Sequence, residues 1–182
     1  MTEFLDVMNN KNNPLGIIKS RKEIHKDGYW HRASHTWILN KKNHILCQKR
    51  SHNKEWFPDR WDMTFGGHVK TGESYESTAI TELSEELGIT VELKDLEFLM
   101  DFLIDKKDKR KGTLNREFLK VYLLRTKKAV GQFKIQKTEI SEIRYFEINE
   151  LKGLLNKRSD VKFIPEKQYY LSVLNKIQSI KQ

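Results

Sequence analysis

Residues 67–89 of the chain read GHVKTGESYESTAITELSEELGI, a glycine-bounded segment with closely spaced acidic residues. Glu82, Glu85 and Glu86 stand at positions i, i+3 and i+4, so a helix brings them onto one face. Like charges at this spacing repel one another and weaken an isolated helix. A cation that prefers oxygen ligands, such as Mg2+, reverses that penalty. The segment therefore predicts a helix whose acidic face binds a metal ion for phosphate chemistry.

The residues that flank this helix predict where it ends. Ser74 is a suitable N-cap, and Gly88 suits a left-handed C-terminal cap. Apolar residues form a stripe that buries another side, namely Ala79, Ile80, Leu83 and Leu87. A surface helix with a solvated acidic face is the alternative interpretation. The metal site is favoured because an ordinary surface helix needs none of the residues that precede it, Gly66, Gly67, Gly72 and Glu73.

The segment resembles the Nudix box, G-x5-E-x7-R-E-U-x-E-E-x-G-U, in which U is a bulky aliphatic residue. Eight of the nine defined positions match, namely Gly67, Glu73, Glu82, Leu83, Glu85, Glu86, Gly88 and Ile89. The resemblance implies a hydrolase of diphosphate linkages that uses Mg2+ or Mn2+. Thr81 stands where the box has an arginine, which in the family helps to hold the glutamates and does not bind the metal. Its loss therefore concerns rate and geometry more than metal binding.

Composition is consistent with one compact enzyme domain. The 182 residues include 34 basic and 25 acidic side chains, which gives a formal charge of 34 − 25 = +9. This positive charge suits an anionic substrate, and it would also suit nucleic acid. No apolar run approaches the ~20 residues of a membrane helix. The N-terminus lacks a signal-peptide pattern, and the single Cys47 excludes an internal disulfide. We therefore expect a cytoplasmic protein with no membrane partner.

The order of the elements predicts an α/β (α+β) fold. We expect strands at 4–8, 15–18, 32–39, 44–49, 63–69, 91–102, 115–124 and 143–146, and further helices at 148–155 and 166–180. A charged tip at 106–112 joins two of the strands. The resemblance specifies a Nudix-type α/β/α sandwich with a mixed β-sheet. We expect a single Nudix domain over 1–182, with a core at about 30–163, an N-terminal β-hairpin at 1–28 and a C-terminal helix at 166–180.

Two segments that flank the box indicate which branch of the superfamily this chain resembles. Residues 31–40 read HRASHTWILN and residues 54–72 read KEWFPDRWDMTFGGHVKTG. Both resemble isopentenyl diphosphate isomerase and its hydrolase-like relatives within the superfamily. The isomerase's histidine metal ligands fall on His25, His31 and His68, and a second metal position falls on Glu86. His31 could instead pack at a strand start, and His25 could be a solvated side chain.

The isomerase chemistry itself is incomplete in this chain. The catalytic cysteine of the isomerase falls on Gly66, so the thiol is absent. Of two acidic residues on a later strand, Glu117 is kept and the other is replaced by Asn115. This pattern predicts an isomerase-like Nudix hydrolase.

The expected site combines residues from the box and from both resemblances. Metal ligation is assigned to Glu82, Glu85, Glu86, Gly67, His68, His31 and His25. Glu82 is the first choice as catalytic base, with Glu117 or Glu139 as alternatives and Glu86 as the further catalytic carboxylate. Arg50 and Lys54 correspond to the basic pair that binds the diphosphate, and Trp56 could wall the pocket or belong to the core.

The predicted partner is a small organic diphosphate, such as a nucleoside diphosphate derivative. The alternative is a catalytically weak Nudix module that senses a nucleotide or RNA, and an isopentenyl diphosphate isomerase is the third candidate. A symmetric homodimer is the default expectation for the assembly.

Overall fold

The computed structural model describes residues 2–108, 112–156 and 160–180. Its strands are β1 (Phe4–Met8), β2 (Pro14–Ser20), β3 (His31–Asn40), β4 (His44–Arg50), β5 (Trp61–Asp62), β6 (Phe65–His68), β7 (Leu96–Asp108), β8 (Thr113–Thr126) and β9 (Ile140–Glu147). Its helices are α1 (Arg21–Asp27), α2 (Tyr75–Leu87), α3 (Ile148–Asn156) and α4 (Lys167–Ser179). Within these ranges, no helix combines the length and the apolar character that crossing a membrane would require.

Seven strands form one mixed sheet. Its main order is β5-β4-β3-β8-β7, with β6 beside β3 and β9 beside β4. The central pair, β3 and β8, is parallel, and the other pairs are antiparallel. The register of the parallel pair sets His31 opposite Glu117, and β6 sets His68 opposite Ala33. The sheet thus gathers residues that lie far apart in the sequence.

Helices cover both faces of this sheet. Along β3, Trp37 and Leu39 join a core cluster that contains Tyr170 of α4. Ile38 points to the opposite face, where it joins a cluster with Leu83 of α2. Successive strand residues alternate between faces, so one apolar strand serves both layers. The predicted α/β/α sandwich is confirmed.

Helix α2 begins and ends where the sequence predicts. The Ser74 side chain accepts a hydrogen bond from the Ser77 N–H at 3.1 Å. Gly88 closes the helix at a φ of 62°, in the left-handed region. Leu83 and Leu87 are fully buried, which fixes the rotation of the helix and directs its glutamates to one side.

Strands β1 and β2 pair antiparallel as a hairpin, and the helix α1, which was not predicted, follows β2. Ser20 and Glu23 form a capping box, in which each side chain binds the other's backbone. Ile24 is fully buried beneath the hairpin with Leu5 and Val7. The Ser-x-x-Glu spacing is typical of a helix start, but the short helix has a single buried apolar residue. One such residue cannot show a helical period, so the sequence pattern did not predict the helix.

Other boundaries also differ from the predicted ones. The strand predicted at 91–102 begins at Leu96, after a 3-10 turn at Leu93–Asp95. It continues through Lys106 and Lys107, so these lysines belong to the strand and not to a charged tip. Residues 109–111 of that tip lie outside the described residues. Backbone pairing with β8 continues along this hairpin because exposed strand positions tolerate charged side chains.

Candidate active site

A cavity of about 760 Å³ lies where α2 meets β3, β4 and β6. It brings together most of the predicted site residues, namely Gly67, His68, Glu82, Glu85, Glu86, Arg50, Lys54, Glu117 and Glu139. Trp56 lies outside this cavity and lines a neighbouring one. The box and the residues implied by the isomerase resemblance therefore converge on one site.

Glu86 is the most deeply buried glutamate of α2, with 8% of its surface exposed. Its Oε2 atom has no hydrogen-bond partner among the described residues. Burial raises the pKa of Glu86 well above its usual range, and the nearby charges of Glu82 and Asp62 raise it further. A buried carboxylate oxygen without a partner is costly, and a cation would remove that cost.

Glu82 faces the glycine-rich turn that precedes α2. A Cβ at Gly67 would lie 2.6 Å from Glu82 Oε1, so any larger residue there would displace this carboxylate from its observed position. Burial raises the pKa of Glu82, the charge of Glu85 raises it further, and Lys70 opposes the shift. Lys70 lines the same cavity and supplies positive charge beside Glu82, in a site where Thr81 replaces the box arginine.

Three histidines from three different elements meet at the edge of this cavity. Ligand atoms of His25 on α1, His31 on β3 and His68 on β6 all lie within 4.8 Å of one another. Glu117 Oε1 lies 3.6 Å from His31 Nε2 and 3.5 Å from His68 Nε2. Imidazole nitrogens with a carboxylate form a donor set that suits Zn2+, Mn2+ or Fe2+ better than Mg2+.

The orientation of His31 leaves a nitrogen free to bind an ion. Its Nδ1–H donates to the Tyr29 carbonyl at 3.1 Å, so in the neutral ring the Nε2 lone pair faces inward. The ring is fully buried, and Nε2 lacks a hydrogen-bond partner in the described structure. The alternative of a histidine that only packs at a strand start therefore leaves a buried polar atom unsatisfied.

His68 lies between two carboxylates. Its Nδ1 is 3.3 Å from Glu3 Oε1, on the opposite side from Glu117. Burial alone lowers the pKa of His68, but hydrogen bonds to Glu117 and Glu3 outweigh it and raise the pKa to about 9. Burial raises the pKa of Glu3, but His68, Arg21 and Lys70 outweigh it and lower the pKa to about 2. No pattern in the sequence indicates Glu3 as part of the site, because the contact depends on where the hairpin docks.

His25 is partly buried and is not the solvated side chain of the alternative interpretation. Its ring centroid lies 4.9 Å from that of His31 and 5.2 Å from that of His68. Burial lowers the pKa of His25 to about 4, and the positive charges of His68 and His31 add to the effect. A neutral imidazole is the form that binds metals.

The basic pair, Arg50 and Lys54, lines the same catalytic cavity. Lys54 pairs with Glu139, and the Arg50 Nε–H donates to the Trp56 carbonyl at 3.0 Å. The Ser51 N–H also donates to the Glu139 carbonyl at 2.8 Å. These contacts tie the start of the loop 51–60 to the segment that contains Glu139.

Helix α4 supports the site from behind through contacts that the sequence analysis did not identify. Tyr170 donates to Asp62 Oδ1 at 2.9 Å, and Tyr169 is hydrogen-bonded to His35 Nδ1 at 3.0 Å. Asp62 and His35 both line the catalytic cavity. Pairings across more than a hundred residues leave no local spacing pattern, so no sequence signal could have found them.

Two positions bear on the isomerase resemblance. A Cβ at Gly66 would lie 2.0 Å from the Ser34 carbonyl oxygen, and the φ of Gly66 is 155°. This backbone therefore excludes the cysteine of the isomerase. Asn115 Oδ1 is buried without a hydrogen-bond partner among the described residues, at the position where the isomerase has a charged ligand.

Comparison with known proteins agrees with this geometry. The NUDIX domain model matches residues 29–167. The chain is 35% identical over 162 residues to an uncharacterised Nudix hydrolase of Clostridium acetobutylicum, covering 87% of this chain and 76% of that protein. It is 42% identical over 84 residues to a prenyl-diphosphate phosphatase of Methanosarcina mazei, covering 46% of this chain and 48% of that protein.

A solved structure from Deinococcus radiodurans shares the fold across nearly the whole chain. The TM-score is 0.73 at 22% identity, covering 93% of this chain and 98% of that chain. At this identity the likeness concerns the fold alone. The match to the domain model covers most of the chain and includes the whole acidic helix. The chain therefore belongs to the Nudix family of pyrophosphohydrolases.

Proposed function

We propose that this protein hydrolyses the diphosphate linkage of a small organic diphosphate in a reaction that depends on Mg2+ or Mn2+. The observation that carries the proposal is the partnerless Oε2 of Glu86, which is buried beside Glu82 in a cavity that also holds Arg50 and Lys54. The cavity thus combines the carboxylates of α2 with the cationic side chains of Arg50 and Lys54. That combination suits a metal ion together with an anionic substrate.

The residues present fit a divalent cation. Glu82, Glu85 and Glu86 supply oxygen donors, and Gly67 leaves the space that the Glu82 carboxylate occupies. When bound there, the ion would neutralise diphosphate charge and lower the pKa of a coordinated water. His25, His31 and His68 with Glu117 form a second donor set for a softer ion.

Glu82 is the carboxylate that best fits the role of general base. Burial and Glu85 raise its pKa, so it accepts a proton more readily than an ordinary carboxylate. Burial also raises the pKa of Glu117, but His31 and His68 outweigh it and hold the pKa well below the usual range. Glu117 is therefore better suited to orient the histidines. Glu139 is paired with Lys54, which would have to release it first.

Arg50 and Lys54 fit the role of binding the side of the diphosphate that does not face the metal. The Nε–H of Arg50 is used by the Trp56 carbonyl, which orients the guanidinium and leaves its terminal nitrogens for phosphate oxygens. Positive charge there would stabilise the charge that develops on the leaving phosphate. Isomerase activity is disfavoured, because Gly66 has no room for the required thiol.

Phosphorus NMR of a pooled diphosphate panel tests the proposal. The panel is incubated with the purified protein and Mg2+, and the run is repeated with chelator and with Glu86→Gln. We expect one diphosphate signal to be lost only with the wild-type protein and Mg2+. Full turnover by Glu86→Gln would refute the mechanism centred on the box. Ligand signals that broaden without turnover would instead favour a nucleotide sensor.

A further inference from the structure

A second cavity of about 680 Å³ adjoins the catalytic one, and its walls combine aromatic rings with cations. We propose that this cavity binds the organic part of the substrate, and that this part carries both a flat ring and an anionic group beyond the diphosphate. The inference rests on the proposed diphosphate hydrolysis and names its substrate class.

The two cavities adjoin. Arg21, His68 and Glu117 line both of them. A molecule whose diphosphate lies against Arg50 and Lys54 can therefore extend past the histidines into the second cavity. The volume is in the range of about 300–1,000 Å³ that small-molecule sites occupy.

Aromatic side chains form one part of the wall. Trp56 and Phe57 are neighbours with ring centroids 6.4 Å apart, and Phe163 lines the same space. Phe163 is held in place by rings on both sides, Phe146 at 6.1 Å and Tyr170 at 6.3 Å. Phe57 has a φ of 49°, which bulky residues rarely adopt, and 38% of its surface stays exposed. The exposed ring of Phe57 and the half-buried ring of Trp56 therefore suit stacking on a planar group.

Cations form the other part of the wall. Arg21, Arg60, Lys106 and Lys107 line the cavity, whereas its carboxylates are Glu117 and Glu166. Arg21 pairs with Glu3, and Lys106 pairs with Glu166. Arg60 and Lys107 form no ion pair with any residue in the described ranges.

This charge distinguishes between classes of substrate. A plain hydrocarbon chain would displace water from the half-buried Arg60 and would give neither Arg60 nor the exposed Lys107 an anionic partner, which is unfavourable. A phosphate or carboxylate on the bound group would pair with them through charge-assisted hydrogen bonds. A phosphorylated nucleoside has both the ring and the charge that the walls would recognise.

Calorimetric titration of three probes in Mg2+ buffer tests the inference without requiring turnover. The probes are adenosine 3',5'-bisphosphate, adenosine 5'-monophosphate and geranyl monophosphate. We expect the bisphosphate to bind at least about tenfold more tightly than the monophosphate, the gain of one charge-assisted contact. Geranyl monophosphate should bind most weakly.

Matched variants assign the effect to this cavity. Arg60→Gln with Lys107→Gln should remove the tenfold preference and leave adenosine monophosphate binding within about threefold. The control, Lys41→Gln with Lys42→Gln, removes the same charge from an exposed turn about 30 Å along β3 from His31 and should change neither value.

The inference is overturned if the double variant weakens both adenosine probes equally, if geranyl monophosphate binds most tightly, or if no probe binds. Its failure is distinguishable from failure of the proposed function. Tight binding of the bisphosphate by a protein that hydrolyses no diphosphate would refute the hydrolase and leave the binding site established.

Discussion

Replacing Glu86 with glutamine should stabilise the protein when metal is removed and destabilise it relative to wild type when metal is present. Glu86 is buried and its Oε2 lacks a partner among the described residues. An unsatisfied buried polar atom costs about 1–3 kcal/mol, more if charged. The amide keeps the shape of the side chain, removes its charge, and can donate toward the neighbouring carboxylates. In chelator we therefore expect Glu86→Gln to raise the free energy of unfolding by about 1–3 kcal/mol.

This change is measurable as a shift in melting temperature. A chain of this size shifts by about 2–4 °C per kcal/mol, so Glu86→Gln should melt several degrees above wild type in chelator. With Mg2+ at about a thousand times its Kd, the wild type should gain about 4.1 kcal/mol, which exceeds the advantage of the variant, and the variant should gain little. The order of the two melting temperatures should then reverse.

The direction of the pKa shift of Glu86 determines how the stability difference between the two proteins changes with pH. The folded pKa of Glu86 lies above its ordinary value of 4.5, so the wild type is favoured at low pH and loses stability as pH rises above that value. The advantage of Glu86→Gln in chelator should be absent below about pH 4.5 and should grow toward neutral pH.

Glu142→Gln is the control, because Glu142 is exposed and the variant has the same change of charge. A Glu86→Gln protein that melts below wild type in chelator, or that gains as much from Mg2+, would refute the reasoning.

Three further predictions follow from individual residues. Thr81→Arg restores the box arginine beside Glu82 and should raise the Mg2+-dependent initial rate about 3- to 10-fold, which corresponds to about 0.7–1.4 kcal/mol. An unchanged rate would show that Lys70 already supplies the positive charge that Glu82 needs. Gly66→Cys should lower the free energy of unfolding by about 2–6 kcal/mol in a urea titration, because of backbone strain and overpacking, and should not create isomerase activity. The control variant Gly131→Cys places its side chain in open space and should leave the free energy of unfolding unchanged. The raised pKa of His68 contributes stability that is complete below its ordinary 6.5 and lost as pH rises through about 9, so metal-free protein should weaken between pH 6.5 and 10. Glu3→Gln should reduce that loss, and an unchanged urea profile would exclude the Glu3 contact.

Local sequence patterns were sufficient to predict the acidic helix α2 and the residues at which it begins and ends. Ser74 and Gly88 act through neighbours within one turn, and the spacing of Leu83 and Leu87 sets which side is buried. The same spacing fixes which way the glutamates face. The sandwich was predicted from the order of strands and helices and from the family resemblance, and the structure confirms it with an apolar cluster on each face of β3.

Where local signals were short or ambiguous, prediction was wrong. The helix α1 has one buried apolar residue, Ile24, and was missed. The sequence predicted that Lys106 and Lys107 belong to a charged loop, but the backbone pairing of Lys106 with Asn115 places them in the strand β7. In both cases contacts with distant chain segments decide the conformation.

The sequence by itself determined the family, the acidic face of α2 and the candidate residues for diphosphate hydrolysis, because the spacing of the box encodes them within a few turns. Only the tertiary structure decided which candidates meet. The parallel register of β3 and β8 sets His31 beside Glu117, and the docked hairpin adds Glu3 to His68. It also decided that Trp56 belongs to a second, cationic cavity. These contacts join residues far apart in the chain, and their geometry is fixed by packing that no local pattern encodes.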